Sequence, residues 1–176
     1  MQKRVRGFTI VELLIVIVVI GILAALVLNT FAGIQGRAHD SSVKNDLKNI
    51  SKALAAYKTT SPTNAYPSGA TGADVRAVLE SLNIKIAPNS YSTEANSNLV
   101  YFDEAGTTYM MLAKSKSGMV YKISGEQSAP TEYSGATYPF PGSSFSNIRT
   151  ENGLTSGGVN YVVYVGNGGG FRIWNP

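Results

Sequence analysis

The chain has 176 residues, 44% of them apolar, a formal charge of +4 and no cysteine. That length gives one globular domain with a modest core plus whatever the N-terminal segment does, and the lack of cysteine excludes disulfide staples and thiolate metal sites. Lys3, Arg4 and Arg6 supply three of the fifteen Lys and Arg; the other twelve face eleven Asp and Glu, so the remainder is nearly neutral and predicts no direct nucleic-acid site.

Residues 1–7 form a short basic leader. In residues 8–28 the only polar side chains are Thr9 and Glu12, and as a helix that stretch reaches roughly 31 Å, which predicts a membrane span. Positive charge is retained on the cytoplasmic side during insertion, so Lys3, Arg4 and Arg6 put the N-terminus inside and everything after Leu28 outside. A secretory signal cut near Thr30-Phe31-Ala32 is the poorer reading, since such signals carry an apolar core of only about 7 to 15 residues. Glu12 is the anomaly. A carboxylate costs about 2.5 to 3.5 kcal/mol at the centre of a bilayer and less near an edge, so it needs a partner, a purpose or a place at the headgroups.

Behind its basic leader, Gly7-Phe8-Thr9-Ile10-Val11-Glu12-Leu13-Leu14-Ile15 resembles the processing and assembly signature of type IV pilins and their pseudopilin relatives. The resemblance implies that a membrane prepilin peptidase cuts between Gly7 and Phe8 and methylates the new Phe8 amine. It also implies that Glu12 guides assembly into a helical homo-oligomeric filament on a platform in the inner membrane. Chemistry gives the pairing an independent reason. Cutting after Gly7 creates an ammonium on Phe8, ordinarily titrating near 7.7 to 8.0, one helical turn from Glu12, and methylation keeps that charge. In a lone subunit the positive end of the helix and the subunit's own amine offset burial of the carboxylate. Assembly is expected to exchange that pairing for one with the Phe8 amine of a neighbour, a partner that exists only once Gly7 is gone.

Gly21 either lets helices approach closely or is neutral. Asn29, Thr30, Gly33 and Gly36 make a weak helical stretch, each Gly costing about 0.8 to 1.0 kcal/mol relative to Ala, and this is the expected place to bend or melt. His39 reads as an exposed helix residue. Val43, Leu47, Ile50, Leu54 and Tyr57 then draw one apolar stripe, with Lys44, Asp46, Lys48, Lys52 and Lys58 on the other faces. A sheet is expected to cover the stripe, and the helix to end near Lys58 before Thr59-Thr60-Ser61-Pro62.

Residues 61–98 are polar, with a short helix marked by Val75, Val78, Leu79 and Leu82, starting near Thr71 or Gly72 and ending near Asn83. Residues 99–103, 107–113 and 119–123 read as strands, the last two joined by Lys114-Ser115-Lys116-Ser117-Gly118. Asp103 and Glu104 read as a solvated turn, because two adjacent acids lack the spaced oxygen donors of a calcium loop. Residues 124–156 read as a long loop region. Tyr138-Pro139-Phe140-Pro141 within it reads as aromatics pinning that loop to the sheet rather than as an adhesive patch. Residues 159–165 and 171–174 form a final hairpin around Gly166-Asn167-Gly168-Gly169-Gly170, which is a turn and no phosphate cradle, since a strand follows it.

No paired carboxylates recur at spacings suited to acid and base work, so no catalytic residue, metal or cofactor is expected. The expected architecture is α+β with the type IV pilin fold: a long N-terminal helix, half hydrophobic and half amphipathic, packed on an antiparallel sheet of about four strands. Its parts are a leader (1–7), a transmembrane and filament-core helix half (8–36), an amphipathic half (37–58), a helix-to-sheet loop (59–98) and the sheet with its long C-terminal loop (99–176). The expected function is that of a structural subunit, a major pilin of a type IV pilus, held in the cell membrane by one pass and then extracellular in the filament. A minor pilin or type II secretion pseudopilin is the nearest alternative, and a membrane-anchored monomeric binding protein the remote one. Motility, adhesion and DNA uptake belong to the machine, and the subunit's sequence does not choose among them.

Overall fold

The structure, a computed structural model, describes residues 7–68, 72–93, 98–125, 127–135, 145–154, 160–165 and 171–173. The chain divides into two compact units, Met1–Gly36 and Arg37–Pro176. The long helix α1 (Ile10–Thr60) contributes to both. Its backbone is helical at Gly33 and Gly36.

In the first unit every large apolar side chain from Phe8 to Ile34 is between 48% and 86% exposed. This part of α1 is long and apolar enough to cross a membrane. Its Thr30 hydroxyl donates to the Leu26 carbonyl at 3.1 Å, which lets a polar side chain sit in an apolar run.

In the second unit the apolar stripe of α1 is the centre of the main core. Val43, Leu47, Ile50 and Leu54 are fully buried, and burying four such side chains contributes on the order of 6 to 12 kcal/mol. The helix stops where expected, the Thr59 hydroxyl closing on the Ala56 carbonyl at 2.7 Å, two residues beyond Lys58. A second helix, α2 (Gly72–Ser81), adds Val75 and Leu79 to the same cluster. Asn83, expected to end it, has a left-handed φ of 48°. Thr71 lies outside the described residues.

The sheet is antiparallel throughout, and its six strands run in the order β4-β3-β2-β1-β5-β6. The strands are β1 (Leu99–Glu104), β2 (Thr108–Lys114), β3 (Val120–Ser124), β4 (Thr131–Glu132), β5 (Asn160–Val165) and β6 (Phe171–Ile173). The four central strands match the expected core of the sheet, and the edges are strands of two and three residues. Period-two alternation places Leu99, Tyr101, Tyr109, Met111, Ala113, Tyr121 and Ile123 on the face under α1 and α2. Tyr109 reaches the helix itself, donating its hydroxyl to Ser51 at 2.8 Å.

Three expectations about polar residues are overturned. Residues 124–156 are more than loop: they include β4 and a third helix, α3 (Phe145–Glu151). Phe145 and Ile148 of α3 cover the outer sheet face, where Val100, Phe102, Met110 and Leu112 form a second core. The turn at Asp103 and Glu104 is not solvated either. Asp103 is 2% exposed, accepting from the Ser68 hydroxyl at 2.6 Å and the Gly106 N–H at 2.9 Å, while Glu104 pairs with Arg149 at 2.6 Å. Gly106 turns there with φ of 74°, and a Cβ would lie 3.0 Å from that of Ala65, so glycine is required by both conformation and space. Tyr138-Pro139-Phe140-Pro141, the run from Gly166 to Gly170, and Trp174 lie outside the described residues.

On α1, Asp46 lies off the apolar stripe yet is 6% exposed and accepts from the Ala87 N–H at 2.8 Å, tying the helix to the segment before β1. Desolvation raises its pKa above the ordinary 3.8, against the opposing effects of the Ala87 N–H and the Tyr91 side chain. A carboxyl with a raised folded-state pKa contributes stability that is fully present below 3.8 and is lost as pH rises through the folded value. Asp46→Asn keeps an acceptor for Ala87 and cannot ionise. Unfolding free energies of the two proteins should therefore diverge in the variant's favour as the pH climbs from the ordinary aspartate range, and a divergence of the opposite sign would refute the assignment. His39, expected to be exposed, is half-buried, with Nδ1 3.4 Å from the Ser90 hydroxyl.

Candidate assembly site

The start of α1 is organised by Thr9 and Glu12. Thr9 is the last residue before the helix, and its N–H and its hydroxyl both donate to Glu12 Oε2 at 2.8 Å. The Glu12 N–H returns a bond to the Thr9 hydroxyl at 3.3 Å. This reciprocal arrangement is a capping box, in which an N-cap Thr and a Glu three residues on satisfy two of the backbone N–H groups that a helix start leaves unpaired. Inside an apolar segment those groups would otherwise be costly to bury.

The carboxylate thus has local donors with Gly7 still in place, and a Phe8 ammonium would be an additional one. Thr9 is the residue that sequence reasoning passed over, although Thr9-Ile10-Val11-Glu12 is the S/T-x-x-E signature of such a cap.

Gly7 and Phe8 precede the helix in non-helical conformation, and Phe8 is 86% exposed. Among the described residues a side chain at Gly7 would meet nothing within 4 Å. The same holds for a Cβ built at Gly21 or Gly33, so neither glycine serves packing among the described residues. Lys3, Arg4 and Arg6 lie outside the described residues. Among the described residues no cluster of His, Asp and Glu could hold a metal ion.

A family model described as the prokaryotic N-terminal methylation motif matches residues 2–28. The similarity extends into the second unit. The type II secretion system core protein G of Aeromonas hydrophila is 32% identical over 121 residues, which is 68% of this chain and 82% of that protein. The type IV wide pilus major component of Thermus thermophilus is 32% identical over 120 residues, 68% of this chain and 81% of its own. The chain belongs to the type IV pilin and pseudopilin family. The type IV major pilin of Myxococcus xanthus adds 47% identity over 47 residues, 27% of this chain and 21% of that pilin. No solved structure matches the chain significantly.

Membership makes the chain a pilin-like subunit and implies filament formation and processing by a prepilin peptidase. The methylation motif and the exposed apolar helix also suit a membrane anchor before assembly.

Proposed function

We propose that this pilin-like subunit is cut between Gly7 and Phe8, methylated on Phe8, and polymerised through its N-terminal helix as the major subunit of a type IV pilus. The observation that carries the reading is the apolar half of α1. From Phe8 to Ile34 its large apolar side chains have no cover among the described residues, and two environments can remove them from water in turn, lipid before assembly and neighbouring helices after it. Lys3, Arg4 and Arg6 hold the leader in the cytoplasm. Glu12 of one subunit then meets the methylated Phe8 amine of the next, which fixes axial register in an interface that apolar contacts alone would let slip. The product needs no cofactor and performs no catalysis.

A second reading, as the core pseudopilin of a type II secretion system, is favoured by the relatives named core protein G. Electron microscopy of a deletion strain separates the two. Loss of all long surface filaments fits the major pilin, whereas intact filaments with impaired protein secretion fit the pseudopilin. Mass spectrometry of the mature protein tests what both share: an uncut Met1 would overturn both.

A further inference from the structure

The outer face of the sheet carries a cavity of about 320 Å³ between β2, β3 and the turn after α3. That is at the lower end of the size of small-molecule sites, ~300 to 1,000 Å³. Its wall brings together hydrogen-bonding groups that the fold leaves spare. Among the described residues Lys122 Nζ donates once, to Asn152 Oδ1 at 3.0 Å, which leaves two of its three N–H groups. Gln127 uses its carbonyl oxygen to accept from the Ser124 N–H at 3.1 Å, and its amide NH2 has no partner among the described residues. The hydroxyls of Thr108 and Ser124 have no partner among the described residues. All four side chains are half-buried. Met110 and Leu154 supply an apolar flank.

The spare groups are rich in donors and include one cation, so they suit a ligand with a carboxylate and several hydroxyls. The apolar flank suits the C–H face of a pyranose ring. A neighbouring cavity shares Lys122 and Asn152 and contains Glu132 and Glu151, of which Glu151 accepts from the Tyr133 hydroxyl at 3.0 Å. Those two carboxylates repel an anion and direct it to the Gln127 side of Lys122.

We propose that it binds a carboxylated sugar, a single uronic-acid unit of an acidic polysaccharide, with the carboxylate on Lys122 and Gln127 and the ring hydroxyls on Thr108 and Ser124.

The test uses the detergent-solubilised, unassembled full chain, so that its outcome is independent of whether filaments form. Calorimetric titration with sodium D-glucuronate is compared with D-glucose and with sodium acetate. Glucuronate should bind about tenfold or more tightly than either control, because each lacks half of the matching groups. Lys122→Gln, which keeps an amide for Asn152, should weaken it by about tenfold or more, and Gln127→Ala should weaken it too, with a small drop in melting temperature from the lost Ser124 N–H bond. Should Lys122→Gln fail to fold, Gln127→Ala and Ser124→Ala carry the test. Binding of acetate equal to that of glucuronate would reduce the site to a simple anion contact and overturn the proposal. So would equal binding of glucose, or glucuronate binding indifferent to the folded variants.

Discussion

Glu12→Gln should lower filament yield about tenfold or more while leaving cleavage and methylation intact. The substitution is informative because glutamine can still complete a capping box with Thr9, so the helix start survives and only the charge is lost. If Glu12 acts solely as a helix cap, Gln should assemble normally and Thr9→Val, which removes the hydroxyl from both of its bonds, should be the damaging change. If it pairs with a neighbour's amine, the order reverses. Loss of a charge pair in a low-dielectric interface leaves an unpaired ammonium and is expected to lower filament yield by about tenfold or more, equivalent to at least ~1.4 kcal/mol. Thr9→Val forfeits one cap, typically ~1 kcal/mol of helix stability, and should retain filaments. Immunoblots for the processed form and filament counts by electron microscopy read both outcomes. Wild-type filament yield in Glu12→Gln would sink the pairing hypothesis.

The second large effect is expected at Arg149. Its side chain is fully buried in α3, with Nη2 donating to the Asp103 carbonyl at 2.8 Å and to Glu104 Oε2 at 2.6 Å. The residue thereby pins α3 to the end of β1. Only the Arg149 side of the pair is fully buried, Glu104 being 17% exposed, so removing Arg149 should cost up to about 3 kcal/mol, still a sizeable share of the ~5 to 15 kcal/mol that stabilises a typical domain. Arg149→Met retains volume and isolates that electrostatic loss, and Arg149→Ala adds a void beside Ile148. Replacing both partners, as in Glu104→Met with Arg149→Met, should recover much of the loss, since hydrophobic pairs often match or exceed buried ion pairs. Urea denaturation of the solubilised chain measures all three. A single Arg149→Met within about 0.5 kcal/mol of wild type would show that the pair contributes little.

What could be read in the sequence depended on the length of each pattern. The span from Phe8, the four- and three-residue steps from Val43 to Leu54, and the alternating strands around Tyr101 and Met111 repeat often enough to stand above composition. The outer core does not. Phe145 and Ile148 are one apolar step on a seven-residue helix, and the residue that secures it is an arginine, which hydropathy assigns to solvent. Asp103 was misjudged for the same reason, and the burial of Asp46 was equally illegible: both are made tolerable by N–H and hydroxyl donors from Ala87, Gly106 and Ser68, partners distant in sequence or hidden in turn geometry. At the candidate assembly site the motif made Phe8 and Glu12 conspicuous, and their prominence obscured the local use of Thr9.

The participation of α1 in the head core has a practical and a biosynthetic consequence. Val43, Leu47, Ile50 and Leu54 fill one side of the layer beneath β1, β2 and β3, so a soluble fragment must begin upstream of Val43 to retain its own interior. During synthesis these four side chains leave the ribosome well before the strands that cover them. Closing that layer requires contacts across some fifty or more residues of chain, so the head can consolidate only after much of its C-terminal half has been made. Until then the amphipathic stripe is an exposed apolar surface.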